Sequence, residues 1–452
     1  MPNFFAYAVM VIWPAAAFYL LRRLERNVAV VCIVVIPYLL LPEKVSIDLP
    51  LLPAIGKDML IGFTAFFVLR KHFKSQPFFG RDPAVKILLI AGFLAPVMSV
   101  LTNREPLVFT ESVIPGMRLW DLITFMTHHF SISYAPFIVG YYLLREQKDH
   151  RILVVIMVWC GLFYAIPALW EIRMSPRLHA DVYGIFPHSF KQQVRYGGFR
   201  PMVFLGHGLR VAAFFSLVII AALFVWKNEP KFRFWKLSAL QIFLGMLVVL
   251  VLCKTVGAVI IALALIVPVL IFSKNLVAKG VMAIGLVLLL YPWVRDAATP
   301  ALDSMVEFIR SHDEERADSL FFRFRNETMM LNRAMEKPLL GWSGYGRNFV
   351  YTDAGDPAST PDGFWIIKFG AYGGVGYLSF FGLCFLAMVR MRRASLKGEG
   401  SSKYSYSLAL GVMLAANLAD LIPNSSSTPI TLLLAGALCG GLICESKPHA
   451  KA

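Results

Sequence analysis

Two stretches of this 452-residue chain carry side chains that could do chemistry. In the first, at 171–210, six basic residues (Arg173, Arg177, Lys191, Arg195, Arg200 and Arg210) face only Glu171 and Asp181, with His188 and His207 close by. That excess of fixed positive charge calls for a compensating group, and an anionic ligand is one candidate. In the second, at 294–363, twelve Asp and Glu outnumber eight Lys and Arg, so it is no simple polybasic patch. It holds Arg323 and Arg325 among phenylalanines, a glycine-rich "GWSGYG" with Trp342 and Tyr345, and Asp362 just before a new apolar run. Asp362 follows Thr360 and Pro361, a placement that suits a helix N-cap. Lys254 lies alone at the junction of two apolar runs, in "VLCKTVGA". A charge there either snorkels to the interface or finds a partner.

The elements around these stretches are membrane-like. The chain is 58% hydrophobic and only 16% charged, with a mean hydropathy of +0.64. A helix needs roughly 20 mostly apolar residues to cross a bilayer, because in lipid it must satisfy its own backbone. About thirteen segments qualify or come near: 5–21, 28–42, 59–69, 86–101, 122–144, 152–170, 211–226, 237–253, 256–272, 281–293, 364–389, 408–422 and 430–444. The expected fold class is therefore all-α, a polytopic bundle of about 12–13 spans. It is read as one integral membrane domain, 1–452, with two insertions: a first loop at 171–210, and a large loop at 294–363 before the last three spans. A short amphipathic helix is expected in the large loop, capped by Asp318 or Ser319 and ended by Pro338 and the glycines.

Alternate connections carry Lys and Arg clusters: Arg22, Arg23 and Arg26; Arg70, Lys71 and Lys74; Arg145, Lys148 and Arg151; Lys227, Lys231, Arg233 and Lys236; Arg390, Arg392 and Arg393. Placing them in the cytoplasm puts the N-terminus and both insertions outside. The net charge of +16 is then mostly topology, and no nucleic-acid partner is needed. The first apolar segment lacks a basic n-region and a small-residue cleavage site, so it reads as a span rather than a cleaved signal. All six cysteines lie in or at the ends of apolar segments, which argues against a disulfide framework or a zinc site.

The order of motifs resembles the O-antigen ligase and polysaccharide polymerase superfamily of bacterial envelopes. The residues that carry the likeness are Arg323 or Arg325; "NRAMEKPLLGWSGYGRNF"; "PDGFWIIKFGAYGGVGYLSFFG"; "VRYGGFRPMVFLGHG"; and "CKTVGA". Together they cover 195–382, the N-terminal third matching only in helix rhythm. In two places the chain departs from the pattern: Asp362-Gly363 stands where the family often has His-Asn, and Lys254 where it has arginine.

The resemblance implies a GT-C-like glycosyltransferase of the bacterial inner membrane, with its active site facing the periplasm or exterior. The implied reaction is inverting and metal-independent, needs no cofactor, and uses an undecaprenyl-diphosphate-linked oligosaccharide. Fixed cations would stabilise the leaving diphosphate. Arginine suits that task through its permanent charge and paired donors. Arg195 and Arg323 are the catalytic candidates by this likeness, with Asp362 as general base. Arg200, Arg325, Lys254, His188 and His207 would contact phosphate or sugar, while Trp342, Tyr345 and Trp365 could stack on sugar rings. The implied partners are the growing glycan or a lipid acceptor, membrane lipids, and chain-length regulator or flippase proteins. A polymerase of repeat units is favoured over a ligase to lipid A-core because the histidine is missing. A transporter or flippase is the third reading, and it calls for charges buried in the spans and for two similar halves.

Overall fold

The computed structural model describes residues 1–50, 53–397, 405–425 and 427–441. Cys444 and the end of the expected 430–444 span lie outside them. The protein is mostly helical, and its only strands are four two-residue antiparallel hairpins among the described residues. The helices are α1 (Phe4–Arg23), α2 (Arg26–Leu40), α3 (Lys57–Leu69), α4 (Pro83–Leu101), α5 (Leu119–His129), α6 (Ala135–Leu143), α7 (Gln147–Arg173), α8 (Leu178–Tyr183) and α9 (Gly208–Asn228). They continue with α10 (Ala239–Leu252), α11 (Val256–Ile271), α12 (Lys274–Val294), α13 (Thr299–Arg310), α14 (Glu314–Met335), α15 (Phe364–Lys397), α16 (Tyr406–Asp420) and α17 (Pro429–Gly440). Six of them (α1, α4, α7, α9, α12 and α15) are long and apolar enough to cross a membrane, and five shorter apolar helices accompany them.

The bundle is organised around α9, which is almost wholly buried, and around a close crossing of α6 and α17. At that crossing a Cβ on Gly436 would sit 2.1 Å from the Phe137 carbonyl oxygen. Small residues let two helices approach this nearly in the absence of water.

Contacts between connections sort them to two ends. At one end, the Asn3 amide donates to the Tyr183 carbonyl, Arg210 pairs with Glu43, Arg347 donates to the carbonyls of Glu105 and Pro115, and Arg323 donates to that of Pro423. At the other, Arg151 pairs with Glu229, Arg390 with Asp82, and Arg145 donates to the Gly440 carbonyl. Both insertions lie at the first end.

Two expectations change. The large insertion holds two helices rather than one short one. The second, α14, begins at Glu314, before the expected cap at Asp318 or Ser319, and runs 22 residues. Glu314 and Asp318 then lie in its first turns, where the helix dipole favours negative charge. The helix α13, opened by Pro300, was not anticipated. The first loop is also shorter than 171–210, because α7 extends to Arg173. The Glu171 carboxylate stays within α7 and accepts from the amides of Leu178, Met202 and Val203, tying the loop back to the bundle.

Two of the helices are irregular. Between α5 and α6, Phe130–Tyr134 widens into a π turn. In α15, Gly373 adopts φ 59° and ψ −166°, which breaks the helical ladder. The segment after α14 repairs that break: the Trp342 and Ser343 amides donate to the Gly370 and Ala371 carbonyls at 2.8 Å, and the Gly374 amide donates to the Pro338 carbonyl at 2.7 Å. A broken apolar helix needs such outside partners for its freed backbone groups. The glycine-rich "GWSGYG" stretch and the "YGGVG" stretch are thus two halves of one docking joint.

Candidate functional site

Arg195 and Arg200 are presented by a tight hairpin in which Val194–Arg195 pairs with Gly198–Phe199. Its turn uses left-handed backbone at Tyr196 (φ 50°) and Gly197 (φ 66°). Lys254, itself left-handed (φ 52°) between α10 and α11, clamps the hairpin. Its Nζ donates to the carbonyls of Arg195 at 3.1 Å and Tyr196 at 3.2 Å. In return an Arg200 Nη donates to the Lys254 carbonyl at 3.4 Å, while the Arg200 Nε is buried with no hydrogen-bond partner. Lys254 is therefore spent mainly on holding the loop that carries the two arginines.

Arg323 comes to this cluster from α14. Burial lowers the Arg200 guanidinium to about 10, and the charges of Arg195 and Arg323 push the same way. Arg195 and Arg323, 128 positions apart in sequence, therefore each lie within electrostatic reach of Arg200. Such convergence of like charge is unfavourable by itself and is relieved by an anion.

The two histidines belong to the same region. His207 caps α9, its Nδ1 accepting from the Leu209 amide at 3.0 Å. Its ring meets that of His188 edge-on at 4.5 Å, and the His188 Nδ1 is buried without a partner. Burial first, then His188, Arg200, Arg210 and Arg195, pushes His207 down to about 3, so it stays neutral. Burial, Lys44 and Arg210 lower His188 as well.

Asp362 faces Arg323, with a carboxylate oxygen 3.8 Å from the guanidinium Nε and both side chains about one-third exposed. It does not supply the first cap bond of α15: the Phe364 amide donates to the carbonyls of Leu421 and Asn424 instead. That leaves the Asp362 carboxylate at the mouth of the cationic cluster.

The remaining sequence candidates lie elsewhere. Arg325 is exposed and stands about 200° around α14 from Arg323. Trp342 is buried in its own loop: its Nε1 donates to the Arg333 carbonyl, and Arg333 and Lys337 lie 3.3 and 4.2 Å from its ring centroid. Little of the indole is left for a sugar. Tyr345 is 61% exposed but packs against Phe125 of α5. Trp365 is fully buried and donates to Glu327, which corrects the expectation that it stacks on a ligand.

Sequence reasoning missed three buried ionic groups. Arg295 pairs with Glu327 at 3.1 Å beneath Arg323. Glu43 accepts from both Lys57 and Arg210, and those pairings outweigh the burial that alone would raise its carboxyl. Lys368 lies against His129 within the bundle. For Lys368 the signal was present, a single lysine inside the apolar run "FWIIKFGAYGG". For the others, only the fold brings the partners together.

No family model matches the chain, and no curated protein matches it either. Among the described residues no cluster of His, Cys, Asp and Glu could hold a metal ion.

Proposed function

We propose that this protein is a bacterial inner-membrane polymerase that joins prenyl-diphosphate-linked oligosaccharide repeat units on the outer side of the membrane. The observation that carries the reading is that Arg195 and Arg323, from distant parts of the chain, both bear electrostatically on Arg200, with Asp362 3.8 Å from Arg323, at the end of the bundle away from the basic clusters. Those basic clusters mark the cytoplasmic side, so the site faces outward, where no nucleotide sugar is at hand. Met305, Phe308, Phe321 and Phe322 are exposed on α13 and α14, which suits helices lying on a lipid interface.

In the proposed reaction an acceptor sugar hydroxyl attacks the anomeric carbon of the donor. The bond from that carbon to the diphosphate oxygen breaks, and the prenyl diphosphate leaves with the bonding electrons. Asp362 takes the hydroxyl proton, a contribution of roughly 10²–10⁴-fold. The arginines hold the growing negative charge on the leaving group, and loss of one such donor typically costs about 10²–10³-fold. Direct displacement inverts the anomeric centre. Transfer to a lipid A-core acceptor would use the same chemistry, and the acceptor alone separates ligase from polymerase.

The test uses the purified full chain in nanodiscs with a synthetic prenyl-diphosphate oligosaccharide. Wild type should release prenyl diphosphate and give a ladder of longer glycans. Arg323→Ala and Asp362→Asn should lose that release while remaining folded. A folded Arg323→Ala with normal turnover would sink the reading, and a single transfer to added lipid A-core without a ladder would move it to ligase. Transport gains from the charges buried in the helices, Lys368 and Asp420 among them. Substrate accumulation in vesicles without release of prenyl diphosphate would favour it.

A further inference from the structure

Lys368 sits on α15 four residues beyond Phe364, about 6 Å along the helix from its outer end. Its side chain is buried, with 7% of the residue exposed. Among the described residues no carboxylate lies within ion-pairing distance of it. Its neighbours are the His129 ring, whose two nitrogens lie at 3.3 and 3.4 Å, and the faces of Tyr372 and Phe380 at 4.8 and 5.9 Å. A neutral imidazole has one in-plane lone pair, and a position nearly equidistant from both nitrogens is off its axis, so His129 is a weak acceptor for the ammonium and supplies no counter-charge. The surroundings are thus basic and aromatic, with a further histidine at 128.

A small cavity opens beside this ammonium. It is lined by Lys368, His129, Ser133, Tyr134 and Ser379, with Gly92 and Gly376 as its small walls. Two helix irregularities border it: Ser133 and Tyr134 belong to the π turn, and Gly376 lies just past the break at Gly373. Such π turns frequently mark functional sites. Gly92 is required for the lining, since a Cβ there would lie 1.9 Å from the Ser379 Oγ and 2.3 Å from the Tyr134 hydroxyl. The cavity has room for about one small occupant, and because the Ser379 hydroxyl donates to the Leu88 carbonyl at 2.8 Å, the hydroxyl left for that occupant beside the cation is that of Ser133.

A buried ammonium with no counter-charge is strongly unfavourable. Cation–π contact with the two rings offsets only part of that cost. In a pocket whose other groups are neutral or basic, an anion supplies the balance. We infer that the cavity beside Lys368 is a binding site for one small monovalent anion of the halide class, built between the π turn of the α5–α6 segment and the broken helix α15. The site is separate from the arginine cluster, and its occupant neutralises the ammonium.

The experiment measures equilibrium binding of radiolabelled chloride to the purified full chain in nanodiscs, with gluconate holding the ionic strength. One saturable chloride site per chain, displaced by bromide, is expected for wild type and for Arg200→Ala. Lys368→Met should abolish it, and Ser133→Ala should weaken it several-fold. Absence of saturable binding in wild type overturns the inference, since it means that Lys368 is buried neutral. So does binding that survives Lys368→Met, or binding lost in Arg200→Ala, which would place the anion on the arginine cluster. If Lys368→Met fails to fold, unchanged affinity in Ser133→Ala overturns it instead. None of these outcomes depends on glycosyl transfer.

Discussion

Removing Arg295 alone should cost more than removing it together with Glu327. The guanidinium is 2% exposed and the carboxylate side chain 9%, and they meet at 3.1 Å. Arg295 also donates to the Thr299 hydroxyl at 3.2 Å, and Glu327 accepts from the Trp365 indole at 3.2 Å. Arg295→Met leaves Glu327 buried with the indole as its remaining donor, a loss of about 3–5 kcal/mol for a pair broken on one side.

Protonation limits that loss. Burial already raises the Glu327 carboxyl above its ordinary 4.5, and without Arg295 it rises further. Taking up a proton at pH 7 from 4.5 costs at most about 3.4 kcal/mol. The raised acid binds more protons folded than unfolded, so the penalty should shrink as pH falls, by up to about 1.4 kcal/mol per unit between 7 and 5. In Arg295→Met with Glu327→Leu the charges are gone and only the Trp365 N–H is left unpaired, about 1–3 kcal/mol. The double variant should therefore be more stable than Arg295→Met by about 2 kcal/mol.

Equilibrium unfolding in mixed micelles at pH 7 and 5.5 reads Arg295→Met, Glu327→Leu and the double variant. Single costs that simply add, or a penalty for Arg295→Met that ignores pH, would refute the reasoning. Glu327 lies one turn after Arg323 on α14, so the pair also fixes the register of the site arginine. Turnover in the double variant, compared with its recovered stability, separates that positioning from simple folding.

Gly373→Ala should release the joint between α15 and the 338–343 segment. A Cβ there would fall 2.3 Å from the Leu339 carbonyl, and the left-handed backbone adds about 1–2 kcal/mol. Faster hydrogen exchange at Trp342 and Ser343 would show the release, and unchanged protection would disprove it. Lys254→Met should loosen the 194–199 hairpin at a cost of about 1–2 kcal/mol, with exchange rising at Arg200; rigid behaviour would mean the clamp is dispensable. His207→Asn keeps a good N-cap but removes a titrating group. Because His207 is held near 3 against an ordinary 6.5, the unfolded chain binds more protons between those values, and stability falls as pH drops below about 6.5. The variant should flatten that slope, by less than about 1 kcal/mol at pH 5.5 for a partly exposed group. His188 leaves a residual slope of the same sign, and an identical slope in wild type and variant would exclude His207 as its source.

The apolar helices were legible in the sequence because whether a segment suits a membrane is a sum over its own residues. Length, composition and the break before each basic cluster are local quantities. The two charged insertions were legible for the same reason, and so was Asp362 at the head of α15. What packing alone decided was proximity. Arg195 and Arg323 come within electrostatic reach of Arg200 because the fold brings α14 and the hairpin held by Lys254 to the same end of the bundle, and nothing in their spacing encodes that. Tertiary contact likewise turned Trp342 and Trp365 from open rings into buried ones and gave Glu327 its arginine. It also set Lys368 in a pocket between two helix distortions. Side-chain partners depend on where distant backbones stop relative to one another, a property that no single segment carries.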